Sequence, residues 1–160
     1  MTESPVLPAP DSAVSVLLVE PTTGEFASLQ EIFHRSAPPS AGPEWTVCSS
    51  PSIRSAALLL RRQNVPIALC DDQATTGRWQ ELLKVTASLP DPPLLIVTSR
   101  LADERLWAEA LNLGAQDVLS KPYDRTEVVW VMSAAWRSWQ QRHRRGAAVA
   151  TAGYSMRAAG

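Results

Sequence analysis

Short apolar runs of four or five residues, each followed by a segment with helical periodicity, recur five times along this chain, and no other feature restricts its fold as much. A strand that is apolar throughout has no face to offer water, so it must lie in a sheet covered on both sides. The runs are Ser15 to Val19, Trp45 to Cys48, Pro66 to Cys70, Pro93 to Val97 and Asp117 to Ser120. Phe26, Leu29, Ile32 and Phe33 mark a first helix, with Thr22 or Thr23 as its cap and the Pro38 to Pro43 cluster as its end. Ser52 to Gln63 predicts a second helix closed by Asn64, and Trp79, Leu82, Leu83 and Val85 a third, stopped by Pro90-Asp91-Pro92. A fourth carries Leu106, Trp107, Ala110, Leu111 and Leu113, with Gly114 as its C-terminal cap, and a fifth carries Val128, Val129, Val131, Met132, Ala135, Trp136 and Trp139. Strands alternating with right-handed crossover helices predict a doubly wound α/β fold with a parallel sheet.

The length of 160 residues and a hydrophobic content of 45% suit one folded unit. Residues 1–14 are rich in Pro, Ser and Ala without periodicity and read as a loose leader; 15–141 form the domain; 142–160 read as a basic, disordered tail. No apolar stretch approaches the roughly 18 residues of a membrane span, and Met1-Thr2-Glu3-Ser4-Pro5 does not open a secretory signal, so no membrane partner is expected and the cytoplasm is the expected location. Cys48 and Cys70 lie in apolar runs without metal-ligand spacing and read as buried small hydrophobes. All 16 acidic residues precede residue 137, whereas 137–160 hold five arginines. Arg142-His143-Arg144-Arg145 reads as the solvated end of a helix, and nucleic acid is not an expected partner because no aromatic interleaving accompanies it.

In a parallel α/β sheet the working groups gather beyond the carboxyl ends of the strands. Those positions hold Glu20-Pro21, Ser49-Ser50, Asp71-Asp72, Thr98-Ser99 and Lys121-Pro122. Carboxylates, a hydroxyl and an ammonium on one rim suit a divalent cation and a phosphoryl group, since oxygen ligands hold magnesium while hydroxyl and ammonium hold phosphate oxygens.

Val16-Leu17-Leu18-Val19-Glu20, Pro66 to Asp71, Ile96-Val97-Thr98-Ser99 and Gly114 to Tyr123 with its Lys121-Pro122 pair stand in the order and spacing of a known family. Over residues 15 to about 140 the chain resembles the receiver domains of two-component response regulators. The resemblance implies a (βα)5 flavodoxin-like three-layer sandwich with strand order 2-1-3-4-5. It further implies that Asp71 accepts a phosphoryl group from a histidine kinase or phosphotransfer protein, that Glu20, Asp71 and the Gln73 carbonyl bind Mg²⁺, and that Thr98 and Lys121 stabilise the phosphoryl oxygens. Signalling to an effector protein would run through the fourth and fifth helices.

The departures are as specific as the matches. Pro21 stands where the family has a second acid, which is expected to weaken magnesium binding; Ala74-Thr75 replaces a hydrophobic-proline pair, and Val118 occupies the aromatic switch position. Asp71 is preferred to Asp72 as the acceptor by counting from the run that precedes it, although a one-residue slip reverses the facing. The alternative function is a pseudo-receiver, a phosphorylation-independent protein-interaction module. An unrelated α/β enzyme is disfavoured, because GxGxxG, GxxxxGK[ST] and GxSxG are all missing and His34 and His143 lie on helices away from the strand ends. Trp107, Trp130 and Trp136 are expected to pack on the sheet. The final helix is expected to run to Arg145, where Val128, Met132 and Trp139 suggest a homodimer seam.

Overall fold

The computed structural model describes residues 13–35 and 43–158, with side chains as far as Gly146. Five strands and five helices alternate: β1 (Ala13–Val19), α1 (Glu25–Arg35), β2 (Glu44–Ser50), α2 (Ile53–Arg62), β3 (Ile67–Asp71), α3 (Trp79–Thr86), β4 (Leu94–Ser99), α4 (Glu104–Leu113), β5 (Asp117–Ser120) and α5 (Arg125–Ala158). All pairings are parallel, and the order across the sheet is β2-β1-β3-β4-β5, as the resemblance implies. Because β1 and β3 lie at the centre, their carboxyl ends and that of β4 open onto the same rim.

Successive residues of a strand face opposite sides, so each apolar run supplies two cores. Leu17, Val19, Ala68, Cys70, Leu95 and Val97 pack with Ile53, Ala56, Leu60, Trp79, Leu82, Leu106 and Ala110 from α2, α3 and α4. Val16, Leu18, Ile67, Leu69, Ile96 and Leu119 pack with Leu29 and Phe33 of α1 and with Val128, Val131, Met132 and Ala135 of α5. Helices α2 and α4 carry identifiable terminal signals. Ser52 and Ser55 form a reciprocal capping box at the start of α2, Asp103 caps Leu106 N at the start of α4, and Gly114 ends α4 with φ 102°.

Several elements differ from the sequence reading. Ala13 and Val14 already belong to β1, so two residues of the expected leader are in the sheet; 1–12 lie outside the described residues. Helix α5 does not stop at Arg145 but continues to Ala158 through the segment expected to be disordered. Alanine is the best helix former, and Ala147-Ala148-Val149-Ala150 follows a helix that is already nucleated, which offsets the cost of Gly146 and Gly153.

Two of the three tryptophans expected to pack on the sheet do not do so. Trp79 and Trp139 are buried, whereas Trp130 is 70% exposed, Trp107 is exposed and Trp136 is only half-buried. The buried stripe of α5 runs Val128, Val131, Met132, Ala135, Trp139, and Trp130, two positions after Val128, falls on the far side of the helix. On α4 only Leu106 and Ala110 reach the core, leaving Trp107, Leu111 and Leu113 exposed. Among the described residues, no helix is long and apolar enough to cross a membrane.

Candidate functional site

The rim brings three of the expected residues together. Asp71 is the last residue of β3 and pairs in register with Thr98 of β4, which places their side chains side by side. The Thr98 hydroxyl donates to Asp71 Oδ2 at 3.1 Å, and Lys121, just after β5, brings Nζ to 2.7 Å from the same oxygen. The other oxygen, Oδ1, accepts the Gln73 backbone N–H at 2.8 Å. Asp71 is therefore the carboxylate at the centre of the site. Asp72 points elsewhere, toward Ser99 Oγ at 3.4 Å and Gln73 Nε2 at 3.2 Å.

Glu20 does not join them. It has φ 49°, an uncommon conformation for a residue with a side chain, and its carboxylate reaches the loop after β3. There Oε1 accepts the Thr75 N–H at 2.8 Å and the Thr75 hydroxyl, and Oε2 accepts the Thr76 N–H at 3.0 Å and its hydroxyl at 2.6 Å. Burial alone would raise the pKa of this carboxyl, but the bonds from Thr75 and Thr76 outweigh it and bring the pKa down to about 2. Thr76 Oγ1 also accepts the Ile53 N–H at 3.1 Å, so Glu20 is tied through Thr76 to the start of α2.

A carboxylate that the sequence reading missed takes part instead. Glu25, the first residue of α1, places Oε1 at 3.0 Å from Lys121 Nζ, and the same oxygen accepts the Tyr123 hydroxyl at 2.5 Å. Its other oxygen accepts the Thr22 N–H at 2.9 Å and the Thr22 hydroxyl at 3.1 Å. Burial works to raise the Glu25 pKa, but Tyr123, Thr22 and Lys121 together hold it below the usual value, so it is a carboxylate. The same environment, burial first and then the bond to Glu25, pushes the Tyr123 phenol well up and keeps it a donor. The signal in the sequence is Thr22-Thr23-Gly24-Glu25, a Thr-x-x-Glu capping pattern immediately before an apolar helix.

The remaining expected positions are structural. Val118 is buried in the core beneath α4, Pro122 follows Lys121 through a cis peptide bond, and Pro21 contributes no ligand atom where a second acid was expected. Cys70 sits in the core, where burial pushes its thiol up to about 12, leaving it unreactive at neutral pH.

The magnesium implied by the resemblance can be tested on these residues. Magnesium requires oxygen ligands in near-octahedral array, usually one or two carboxylates and several waters. Glu20 has both oxygens occupied by threonine donors, Glu25 is bonded to Lys121, Tyr123 and Thr22, and Asp71 carries an ammonium on one oxygen and an amide on the other. Among the described residues no group of three or more His, Cys, Asp or Glu could hold a metal ion. As arranged, the described residues do not fit the metal, and the positive charge that meets Asp71 is Lys121.

Compared by sequence, the chain matches no family model and no curated protein. Compared by structure, it is similar to receiver domains. The signal receiver domain of an HD domain-containing protein from Pseudomonas fluorescens Pf-5 matches with a TM-score of 0.66 at 21% identity, covering 81% of this chain and 98% of the other. A CheY-like response regulator receiver domain protein from Methanospirillum hungatei JF-1 matches with a TM-score of 0.64 at 18% identity, covering 82% and 99%. The beryllofluoride-activated NtrC4 receiver domain, solved as a dimer, matches with a TM-score of 0.66 at 17% identity, covering 78% and 98%. The chain therefore has the receiver-domain fold.

Proposed function

We propose that this chain is a non-enzymatic, receiver-fold signalling module that acts through protein contact and does not depend on magnesium-assisted phosphorylation of Asp71. The observation that carries this reading is the state of the β1 end. Pro21 replaces one carboxylate, and both oxygens of Glu20 are taken up by Thr75 and Thr76. Phosphoryl transfer to a carboxylate requires that the crowded negative charge be offset, and here the single charge of Lys121 is already shared between Asp71 and Glu25. The output surface in this reading is the outer side of α4 and α5, where Trp107, Leu111, Leu113 and Trp130 are exposed; its occupant is an effector protein or a second copy of the chain.

A second reading has its own support. Asp71, Thr98 and Lys121 form the hydroxyl–carboxylate–ammonium group on which phosphoryl acceptance from a histidine kinase or phosphotransfer protein would rest. The two are separated by incubating the full chain with Mg²⁺ and acetyl phosphate, or with Mg²⁺ and beryllium fluoride, and reading intact mass and amide NMR shifts. The expected result is no phosphoryl adduct and no change at Asp71, Thr98 or Lys121. An adduct lost in Asp71→Asn establishes the second reading in place of the first.

A further inference from the structure

A cavity of about 450 Å³ opens beside the Asp71–Lys121 pair, between the start of α1 and the loop after β5. Its walls include Thr23, Ser28, Arg100, Lys121, Pro122 and Tyr123, with Glu25 on the inner side. We propose that this cavity binds a small organic anion, a carboxylate or a phosphomonoester with an apolar body, and that such a ligand is an input to the module. The inference rests on the preceding reading in one respect: Lys121 is available to an outside anion only while Asp71 carries no phosphoryl group.

The donors left over point to such a ligand. An ammonium has three N–H donors, and Lys121 has two partners, Asp71 Oδ2 and Glu25 Oε1, which leaves one. The Arg100 guanidinium, with five donors, is exposed and has no hydrogen-bond or ion-pair partner among the described residues. The hydroxyls of Thr23 and Ser28 are likewise without partners among the described residues.

Acceptors on the same wall are occupied. Glu25 receives Lys121 and Tyr123 on one oxygen and two donors from Thr22 on the other, so it has little to offer a cation. Lys121 is shared between Asp71 and Glu25, so the charged wall residue whose pairing capacity is unused is Arg100, and the amino-terminal end of α1 adds positive potential beside it. An anion is the complement of that surface. Its body would meet Pro122 and the Tyr123 ring, and the volume falls within the range of small-ligand pockets.

The test is an amide NMR titration of the full chain in Mg²⁺-free buffer, with phenyl phosphate, benzoate and inorganic phosphate as separate probes. Phenyl phosphate is chosen because phenoxide leaves too poorly to phosphorylate a carboxylate. The expected result is saturable shifts at Thr23, Glu25, Arg100 and Tyr123 with phenyl phosphate or benzoate, weakened roughly tenfold in Arg100→Gln, as expected for loss of a charge-assisted bond. Which of the two binds more tightly identifies the acid group. Arg100 is exposed, so the variant leaves the core untouched. The proposal is overturned if no shift saturates, if Arg100→Gln binds as well as the parent, if inorganic phosphate binds as tightly as the organic anions, or if shifts occur only near Arg142, Arg144 and Arg145. A phosphoryl adduct formed with Mg²⁺ and acetyl phosphate would defeat the preceding reading but would not alter these Mg²⁺-free shifts, so the two failures are distinct.

Discussion

On the β3–β4–β5 side of the rim, Asp71 holds Thr98 at 3.1 Å and Lys121 at 2.7 Å, and every group faces a common centre. On the β1 side, Glu20 carries the same kind of carboxylate but turns through a positive φ to the threonines of the loop after β3, and Pro21 has nothing to contribute. Strand register explains the first side, since Asp71 and Thr98 are paired neighbours in the sheet. Local loop chemistry explains the second, since two hydroxyls and two amides take up both oxygens of Glu20. A site can thus keep its sheet-positioned half while its loop-positioned half is given to another purpose. In this chain the second carboxylate beside Lys121 comes from α1, as Glu25.

Breaking the assembled side should have the largest effect. Lys121 lies between two largely buried carboxylates, and its side chain is only 10% exposed. Lys121→Met would leave both charges facing each other without a counterion, at an expected cost of about 3–5 kcal/mol in urea unfolding. Adding Glu25→Gln should recover part of that loss because one of the two charges is then gone. A loss below about 1 kcal/mol for Lys121→Met would mean that the cluster is solvent-screened and that the two sides of the rim are energetically alike.

Rebuilding the other side gives the next largest effect. Pro21→Asp restores a carboxylate, and Thr75→Val removes one of the hydroxyls that hold Glu20. Together they are expected to raise Mg²⁺ affinity by roughly tenfold or more over the parent chain, measured by calorimetry, with a smaller gain for Pro21→Asp alone. If neither variant binds the ion better, the obstacle is Lys121 on Asp71 rather than the β1 end, and the contrast between the two sides lies in the ammonium.

Acid titration follows with a smaller effect. Glu20 titrates at about 2 and Glu25 below its ordinary value, so both contribute stability that is complete above about 4.5 and is lost as the pH falls through their folded values. Glu20 is bonded at an open loop, so solvent screening keeps its share below about 1 kcal/mol. Thr75→Val should flatten the acid limb of a stability–pH profile between about 4.5 and 2 without altering the neutral plateau by more than the lost hydroxyl bond. An unchanged slope would show that the backbone amides of Thr75 and Thr76 suffice to hold the carboxylate.

The fold is legible in the chain because apolar runs have no other solution: Val16 to Val19 and Ile67 to Cys70 are buried on both faces, and such strands specify a covered parallel sheet. The Asp71–Thr98–Lys121 cluster is legible for the same reason, since strand ends set those positions. Glu25 is harder to read as a site residue because its place depends on where α1 starts and on the side-chain reach of Tyr123, although its capping pattern is present. The capture of Glu20 is hidden in a loop whose partners are 55 and 56 residues away. The tryptophans defy expectation because helical segments rich in apolar residues leave the buried arc ambiguous, and tertiary packing selects Val128, Met132 and Trp139 over Trp130.

The smallest expected effect separates the two adjacent aspartates. Asp72 makes one weak contact to Ser99 at 3.4 Å and one to the Gln73 side chain at 3.2 Å, both on the outer edge of the β3 end, and neither reaches Lys121. Asp72→Asn keeps the shape and a hydrogen-bonding oxygen, so stability should stay within about 0.5 kcal/mol of the parent. Asp71→Asn, in contrast, removes one of the two charges on the Lys121 ammonium and should shift the Lys121 Nζ proton and nitrogen resonances, which Asp72→Asn leaves in place. If Asp72→Asn moves the Lys121 signals and Asp71→Asn does not, the facing of the β3 end is reversed and the assembled half of the rim is built around the other carboxylate.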